Sequence, residues 1–111
     1  VIRQIPKKLL KHNLVYNEYL QDAGEGVSFG ADITLSNVRV QEQKLVSRSL
    51  DGNEIIGNAI MFYDIVNSNG LVNKPVNSSK ITFNSKVYHI VDTDILYAEK
   101  ETPHHYEILL K

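Results

Sequence analysis

The sequence contains no cysteine. Disulfides, thiolate zinc sites and cysteine nucleophiles are therefore excluded together, and an intracellular origin fits. A surplus of one charge is also lacking: twelve Lys and Arg stand against thirteen Asp and Glu, for a formal net charge of −1. A strongly cationic nucleic-acid binder carries a basic excess that this chain does not have. No apolar run approaches the roughly 20 residues that span a bilayer, and no charged-then-apolar leader stands at the start, so no membrane partner is expected. The chain opens at Val1 rather than methionine, which leaves room for native residues ahead of it.

What is present suits one small packed domain over residues 1–111. Apolar residues make up 42% and charged residues 23%, enough for a core and too apolar for wholesale disorder. Val and Ile together supply 22 residues and Tyr adds six, an enrichment that favours strands. Charge is uneven at one end. Arg3, Lys7, Lys8 and Lys11 are basic, and no acid precedes Glu18. A solvated N-terminal arm explains them; a contact with an acidic partner or a phosphate backbone is the sharper alternative.

Periodicity places the elements. "IPKKLLKHN" is the best helical candidate, two turns at most, with Pro6 near its start. A first strand is expected near residues 10–19, where Leu10, His12, Leu14 and Tyr16 alternate with polar residues. "QDAGEGVSFG" holds three glycines and reads as a mobile loop. In "ADITLSNVRVQEQKLVS", Ile33 and Leu35 share one parity while Val38 and Val40 share the other. A β-bulge at Ser36-Asn37 would reconcile them. "SLDGNE" turns with Asp51-Gly52 at its centre. "EIIGNAIMFYDIV" returns as a strand apolar on both faces at Ile60, Met61, Phe62 and Tyr63, which implies a central position or a partner chain. "NSNGLVNKPVNSSK" is a second long loop. "KITFNSKVYHIVD" is a hairpin turning at Asn84-Ser85, with Ile81 and Phe83 before the turn and Val87, His89 and Val91 after it as the apolar face. Its second strand continues into "DILYAEKE", Thr102-Pro103 breaks it, and "HHYEILL" is the last strand. The pattern predicts a mainly β fold: a small antiparallel β-barrel of about six strands, with long loops and at most one short helix.

The chemical inventory is thin. On a regular strand His104 and His105 point to opposite faces, so they cannot ligate one metal without a distorted backbone. His105 and Glu107 share a face, but two ligands fall short of the three a catalytic zinc takes; Asp92, Asp94 and His89 could join only if the fold brings them near. "GEGVSFG" is not the dinucleotide fingerprint, and no Lys-Ser/Thr follows as in a nucleotide loop. Eight serines and four histidines include no G-x-S-x-G elbow. The pairs Asp92/Asp94 and Glu99/Glu101 name no acid and base without a pocket. Tyr63, Tyr88, Tyr97 and Phe83 suit a core better than a stacking platform for single strands, since few cations interleave with them. No enzyme, cofactor or metal is expected.

The order of "IPKKLL", "NVRV", "NAIMFYD", "ITFNSKVYHIVD" and "HHYEILL" resembles the minor capsid proteins encoded in the head-to-tail gene cluster of tailed phages and prophages of Gram-positive bacteria. Those are similar in turn to head-closure, or stopper, proteins. The likeness covers nearly the whole chain; where such proteins most often carry Asn-Gly at the hairpin turn, Ser85 replaces the glycine here. The resemblance implies a small β-barrel with long excursions and no catalytic residues. It implies a virion structural protein, made in the bacterial host cytoplasm and placed at the head-tail neck. There it would form a homo-oligomeric ring below the portal and its adaptor, although a monomer in dilute solution is compatible. The ring would retain packaged DNA, pass it without sequence recognition, and dock tail proteins. A tail-completion protein at the upper end of the tail is the nearest alternative, and a small nucleic-acid-binding β-barrel a more remote one. The long segments 22–30 and 68–80 and the doubly apolar strand are the candidate interfaces: Gly24, Gly26, Phe29, Met61, Tyr63, Asn69, Leu71 and Pro75.

Overall fold

The computed structural model describes residues 5–22, 26–50, 52–97 and 102–111. Within these residues, eight strands follow one 3-10 turn at Lys7–Leu9: β1 (His12–Asn17), β2 (Tyr19–Asp22), β3 (Gly26–Phe29), β4 (Ile33–Ser49), β5 (Gly52–Asp64), β6 (Lys80–Phe83), β7 (Lys86–Tyr97) and β8 (Pro103–Leu110). Among the described residues there is no α-helix. Six strands pair antiparallel in the order β1-β4-β5-β8-β7-β6, and β6 pairs back onto β1, so the sheet closes into a barrel. Strands β2 and β3 form a separate two-stranded sheet.

The closed sheet has one inner face, filled by side chains from every strand. Leu14, Tyr16, Leu35, Val38, Val40, Ala59, Met61, Tyr63, Ile81, Phe83, Tyr88, Ile90, Tyr106, Ile108 and Leu110 form a single buried cluster. Burying each of the larger ones removes enough apolar surface from water to contribute about 1.5–3 kcal/mol. Bulges keep that inner face apolar where the sequence alternation slips. On β4, Leu35 faces Leu14 and Val38 faces His12, so β4 carries one residue more than β1 over this span. Asn37, at φ 56°, takes the left-handed turn of that bulge. The parity change at Ser36-Asn37 is thus a real insertion that returns both Leu35 and Val38 to the core.

The turn register on β7 corrects an expectation. Residues paired across a two-residue hairpin share a face, and the pairs are Phe83 with Lys86 and Ile81 with Tyr88. Tyr88 and Ile90 therefore face inward, whereas Val87 and Val91 are exposed, as is His89. The even positions are fixed by the turn, and the β-branched odd positions mislead. Asn84 (φ 49°) and Ser85 (φ 63°) both occupy the positive-φ region that a type I′ turn requires. Beyond Ile90, one extra β7 residue shifts the register against β8, and Thr93 becomes the next buried position.

Other expectations move as well. The strand foreseen over 10–19 stops at Asn17 and restarts at Tyr19 as β2. The glycine-rich stretch read as a mobile loop is largely strand: Tyr19 pairs with Phe29, Leu20 with Ser28, Gln21 with Val27 and Asp22 with Gly26. Flanking aromatics, edge-on at 6.1 Å for Tyr19 and Phe29, help close this hairpin despite its glycines. The β4–β5 turn is centred one residue earlier than foreseen. Ser49 pairs with Gly52, which opens β5 with φ 118°.

Strands β4 and β5 outrun their neighbours. β1 reaches β4 only up to Val38, and β8 reaches β5 only from Ala59, so the distal halves form a two-stranded ribbon beyond the barrel. Val46, Leu50 and Ile56 are exposed on it. At its base a cross-link closes that mouth of the barrel: Lys86 Nζ donates to Glu42 Oε2 at 2.6 Å, and the Tyr88 hydroxyl donates to the same oxygen at 2.9 Å.

Candidate functional site

The segment between β5 and β6, foreseen as a long loop, is fastened to four strands. Asn69 exchanges backbone hydrogen bonds with Ser36 of β4, at 3.0 Å each way. The Leu71 amide donates to the Tyr63 hydroxyl of β5 at 3.1 Å, and the Val76 amide to the Tyr16 hydroxyl of β1 at 3.2 Å. Ser78 and Ser79 bond the backbone of Ile90 on β7. Gly70 permits the closest approach. A Cβ there would lie 2.6 Å from the Thr34 carbonyl oxygen and from Leu35 Cδ2, at a φ of 121°.

The eight residues foreseen as interface fall into separate places. Met61 and Tyr63 point into the barrel, fully and almost fully buried. Tyr63 stacks on Tyr106 at 6.1 Å, and burial raises its phenol pKa. Leu71 packs against the same core, and Pro75 is buried. Asn69 is exposed, but its backbone is committed to Ser36. Phe29 is half-buried on the β2–β3 hairpin, with Lys80 Nζ 5.4 Å from its ring centre. Gly26 opens β3 opposite Asp22, and Gly24 lies outside the described residues. Tyr63, Asn69 and Leu71 are thus brought together at one mouth of the barrel, while Phe29 and Gly26 belong to a different projection.

The aromatic platform dissolves in the same way. Tyr63, Tyr88 and Phe83 are buried in the core, and only Tyr97 is exposed. The histidines, by contrast, do meet. His104 Nδ1 lies 2.9 Å from His105 Nδ1, and His105 Nε2 lies 3.0 Å from Glu107 Oε2. Among the described residues no group of three His, Asp or Glu is arranged to hold a metal ion.

The outer face of the barrel carries the feature that sequence reasoning missed. Strand β5 is apolar on both sides: Met61 and Tyr63 fill the core, and outward-facing Phe62 lies beside the chain's own N-terminal segment. The Ile5 amide donates to Asp64 Oδ1 at 3.0 Å, and Asn67 Nδ2 donates to the Ile5 carbonyl at 2.8 Å. From there Ile5 and Leu9 line an open groove with Phe62, Arg39 and Gln41. Asp64 is fully buried, and its other oxygen accepts the amides of Val66 at 3.1 Å and Asn67 at 2.8 Å. An Asp ending a strand, three residues before an Asn, is the local signal that could have revealed this anchor.

From this groove the register lays out a graded row across the outer face. Arg39 pairs with Phe62, Phe62 with Glu107, and Glu107 with Asp94. One rung on, Gln41, Ile60, Leu109 and Asp92 form the parallel row. Cross-strand partners share a face, so the row wraps around the outside of the barrel from a basic side on β4, over an apolar centre, to an acidic side on β7, away from the groove.

A family model described as minor capsid protein matches residues 6–110. No curated protein and no solved structure matches the chain.

Proposed function

We propose a place in the head-tail connector for this chain, which belongs to the minor capsid protein family. Membership carries a structural role in a phage particle rather than an enzymatic one, and a location in the virion. The finer reading is a stopper-like protein of tailed phages and prophages of Gram-positive bacteria. Copies form a ring below the portal and adaptor, retain the packaged DNA and offer a docking face to the tail.

The observation that carries this reading is a family match spanning nearly the whole chain, on a closed β-scaffold with excursions. The barrel interior is filled, so function falls to the surfaces and projections. Two hairpins leave the barrel, β2–β3 and the distal β4–β5 ribbon, and the ribbon exposes Val46, Leu50 and Ile56. Apolar residues on a projecting ribbon suit contact with another subunit better than solvent. The aromatic residues a single-strand binder would present are mostly turned inward, which disfavours the nucleic-acid-binding alternative.

The test is stoichiometry. Tailed particles are purified from the induced host, and this polypeptide is quantified by mass spectrometry against the portal protein. About one copy per portal subunit is the expected outcome for a neck ring. A tail-like excess moves the protein down the tube, and a ring stoichiometry retained on isolated tails favours tail completion. Absence from intact particles overturns the structural reading.

A further inference from the structure

We infer that the groove between the N-terminal segment and strand β5 is a subunit contact, and that its occupant is the acidic β7 edge of a second copy of this chain. The inference rests on the ring proposed above and says which surfaces build it.

The groove offers an apolar floor and a basic rim. Ile5, Leu9 and Phe62 line it, with Leu9 42% exposed. Arg39 stands on its wall, and Lys7, Lys8 and Lys11 are exposed along the segment that forms its lip. No acid precedes Glu18 in the sequence to offset them. Among the described residues none of these four cations has an ion pair.

The β7 edge is its complement. Asp92 and Asp94 are exposed on the outer side, and Val91 beside them is an exposed apolar residue. Asp94 sits directly opposite Glu107 across the β7–β8 pair, two carboxylates on one face. Such a like-charge cross-strand pair is unfavourable in an isolated sheet. His105 reaches Glu107, whereas among the described residues no cation pairs with Asp92 or Asp94. The neighbouring lysine of β6, Lys80, opposes His89 and lies over the Phe29 ring, away from Asp94. Lys111 exchanges backbone bonds with His89 at the other end of β7 from Leu96 and Tyr97. The acidic edge therefore lacks a cation that a neighbouring copy would supply.

Geometry sets the kind of contact. β4 and β7 are three places apart in a six-stranded closed order, so their outer sides face away from each other. At about 4.8 Å per strand spacing, the two edges of one chain are too far apart to satisfy one another. Acidic edge on basic groove is then a heterologous contact, which propagates in one direction and closes into a ring when the rotation permits. The apolar floor against Val91 supplies affinity, and the charges set orientation and direction.

A zero-length carbodiimide cross-linker tests this on the unaltered protein, because it joins a lysine amine only to a carboxylate in contact. Intact particles and a concentrated mixture of isotope-labelled and unlabelled chain are treated and digested. Expected are inter-chain peptides joining Lys7 or Lys8 to Asp92 or Asp94. In sedimentation, Asp92→Lys/Asp94→Lys weakens self-association about tenfold or more, and adding Lys7→Glu/Lys8→Glu to the same chain restores it. Inter-chain links that form only elsewhere, in particles holding the chain at ring stoichiometry, overturn this contact and leave the ring standing. Particles holding it far below ring stoichiometry, with no inter-chain links at all, overturn the ring and this contact with it.

Discussion

The Nδ1 atoms of His104 and His105 lie 2.9 Å apart, although the two residues are neighbours on one strand. Alternation would send them to opposite faces. The register explains the meeting. Leu96 pairs with His105 and Tyr97 with Pro103, so His104 is an extra residue on β8, a bulge that swings its ring beside that of the next residue. The result is a string in which His105 bonds His104 through one ring nitrogen and Glu107 through the other.

The string is structural, so stoichiometric zinc is not expected to survive dialysis of the purified chain. His105→Ala should leave metal content at background by elemental analysis and leave incorporation into particles unchanged. Zinc retained at one per chain, and lost with His105→Ala, would overturn this.

Asp64 holds the N-terminal segment against the barrel. Asp64→Ala removes the acceptor for the amides of Ile5, Val66 and Asn67 at a fully buried position. Hydrogen bonds to a charged acceptor contribute about 1.5–3 kcal/mol each, less where the donor is partly exposed as here, and three are lost together. A loss of roughly 3 kcal/mol in urea unfolding is expected, together with faster tryptic cleavage after Lys7 and Lys8 under native conditions.

Gly70 is the point where the β5–β6 segment closes on β4. Gly70→Ala places a methyl group 2.6 Å from the Thr34 carbonyl oxygen at a φ of 121°. Backbone cannot yield as a side-chain tip can, so a loss of about 2 kcal/mol or more is expected by denaturant melt.

Thr93 Oγ1 is buried and has no hydrogen-bond partner among the described residues. Thr93→Val keeps the shape and removes the orphan hydroxyl. A gain of about 1 kcal/mol in unfolding free energy is expected; a loss would reveal a partner for that oxygen.

The Glu42 cross-link is visible in the pH dependence of stability. Its carboxyl is held below the ordinary 4.5, first by the Lys86 ammonium and then by the Tyr88 hydroxyl. A depressed acid stabilises the fold above its ordinary pKa, and that share is lost as pH falls through the lower folded value. Lys86 is raised above 10.5 mainly by Glu42, so its share is present below that pH and lost as pH rises further. Glu42→Gln should therefore melt lower than the wild type at neutral pH. The two melting curves should converge as pH falls below 4.5. A constant difference down to acid pH would show that the carboxylate charge is not what matters.

Much of the fold was legible locally. β-branched enrichment gave the class, and the Asn84-Ser85 turn gave a hairpin. The parity slip at Ser36-Asn37 located a bulge without any structure, because Leu35 and Val38 can both face the core only if one residue is inserted between them. The same logic failed on β7, where Val87 and Val91 attracted the apolar assignment that the turn register gives to Tyr88 and Ile90. It failed again at residues 19–29, where glycine content outweighed the cross-strand pairing of Tyr19 with Phe29.

Sequence alone determined what kind of molecule this is. The missing cysteines excluded disulfides and thiolate chemistry, and the order of its β-segments pointed to the capsid family. Those signals are local or compositional, and they survive without coordinates. Tertiary structure decided where each residue acts. Met61 and Tyr63 became core, the 68–80 segment became a strap across one mouth of the barrel, and His104 met His105 through a bulge. Arg39, Phe62, Glu107 and Asp94 fall in one cross-strand row only because the β4–β5 and β7–β8 pairs, distant from each other in sequence, were brought into register. Strand pairing is a long-range contact with no local signature, so a surface built from it exists only once the sheet has closed.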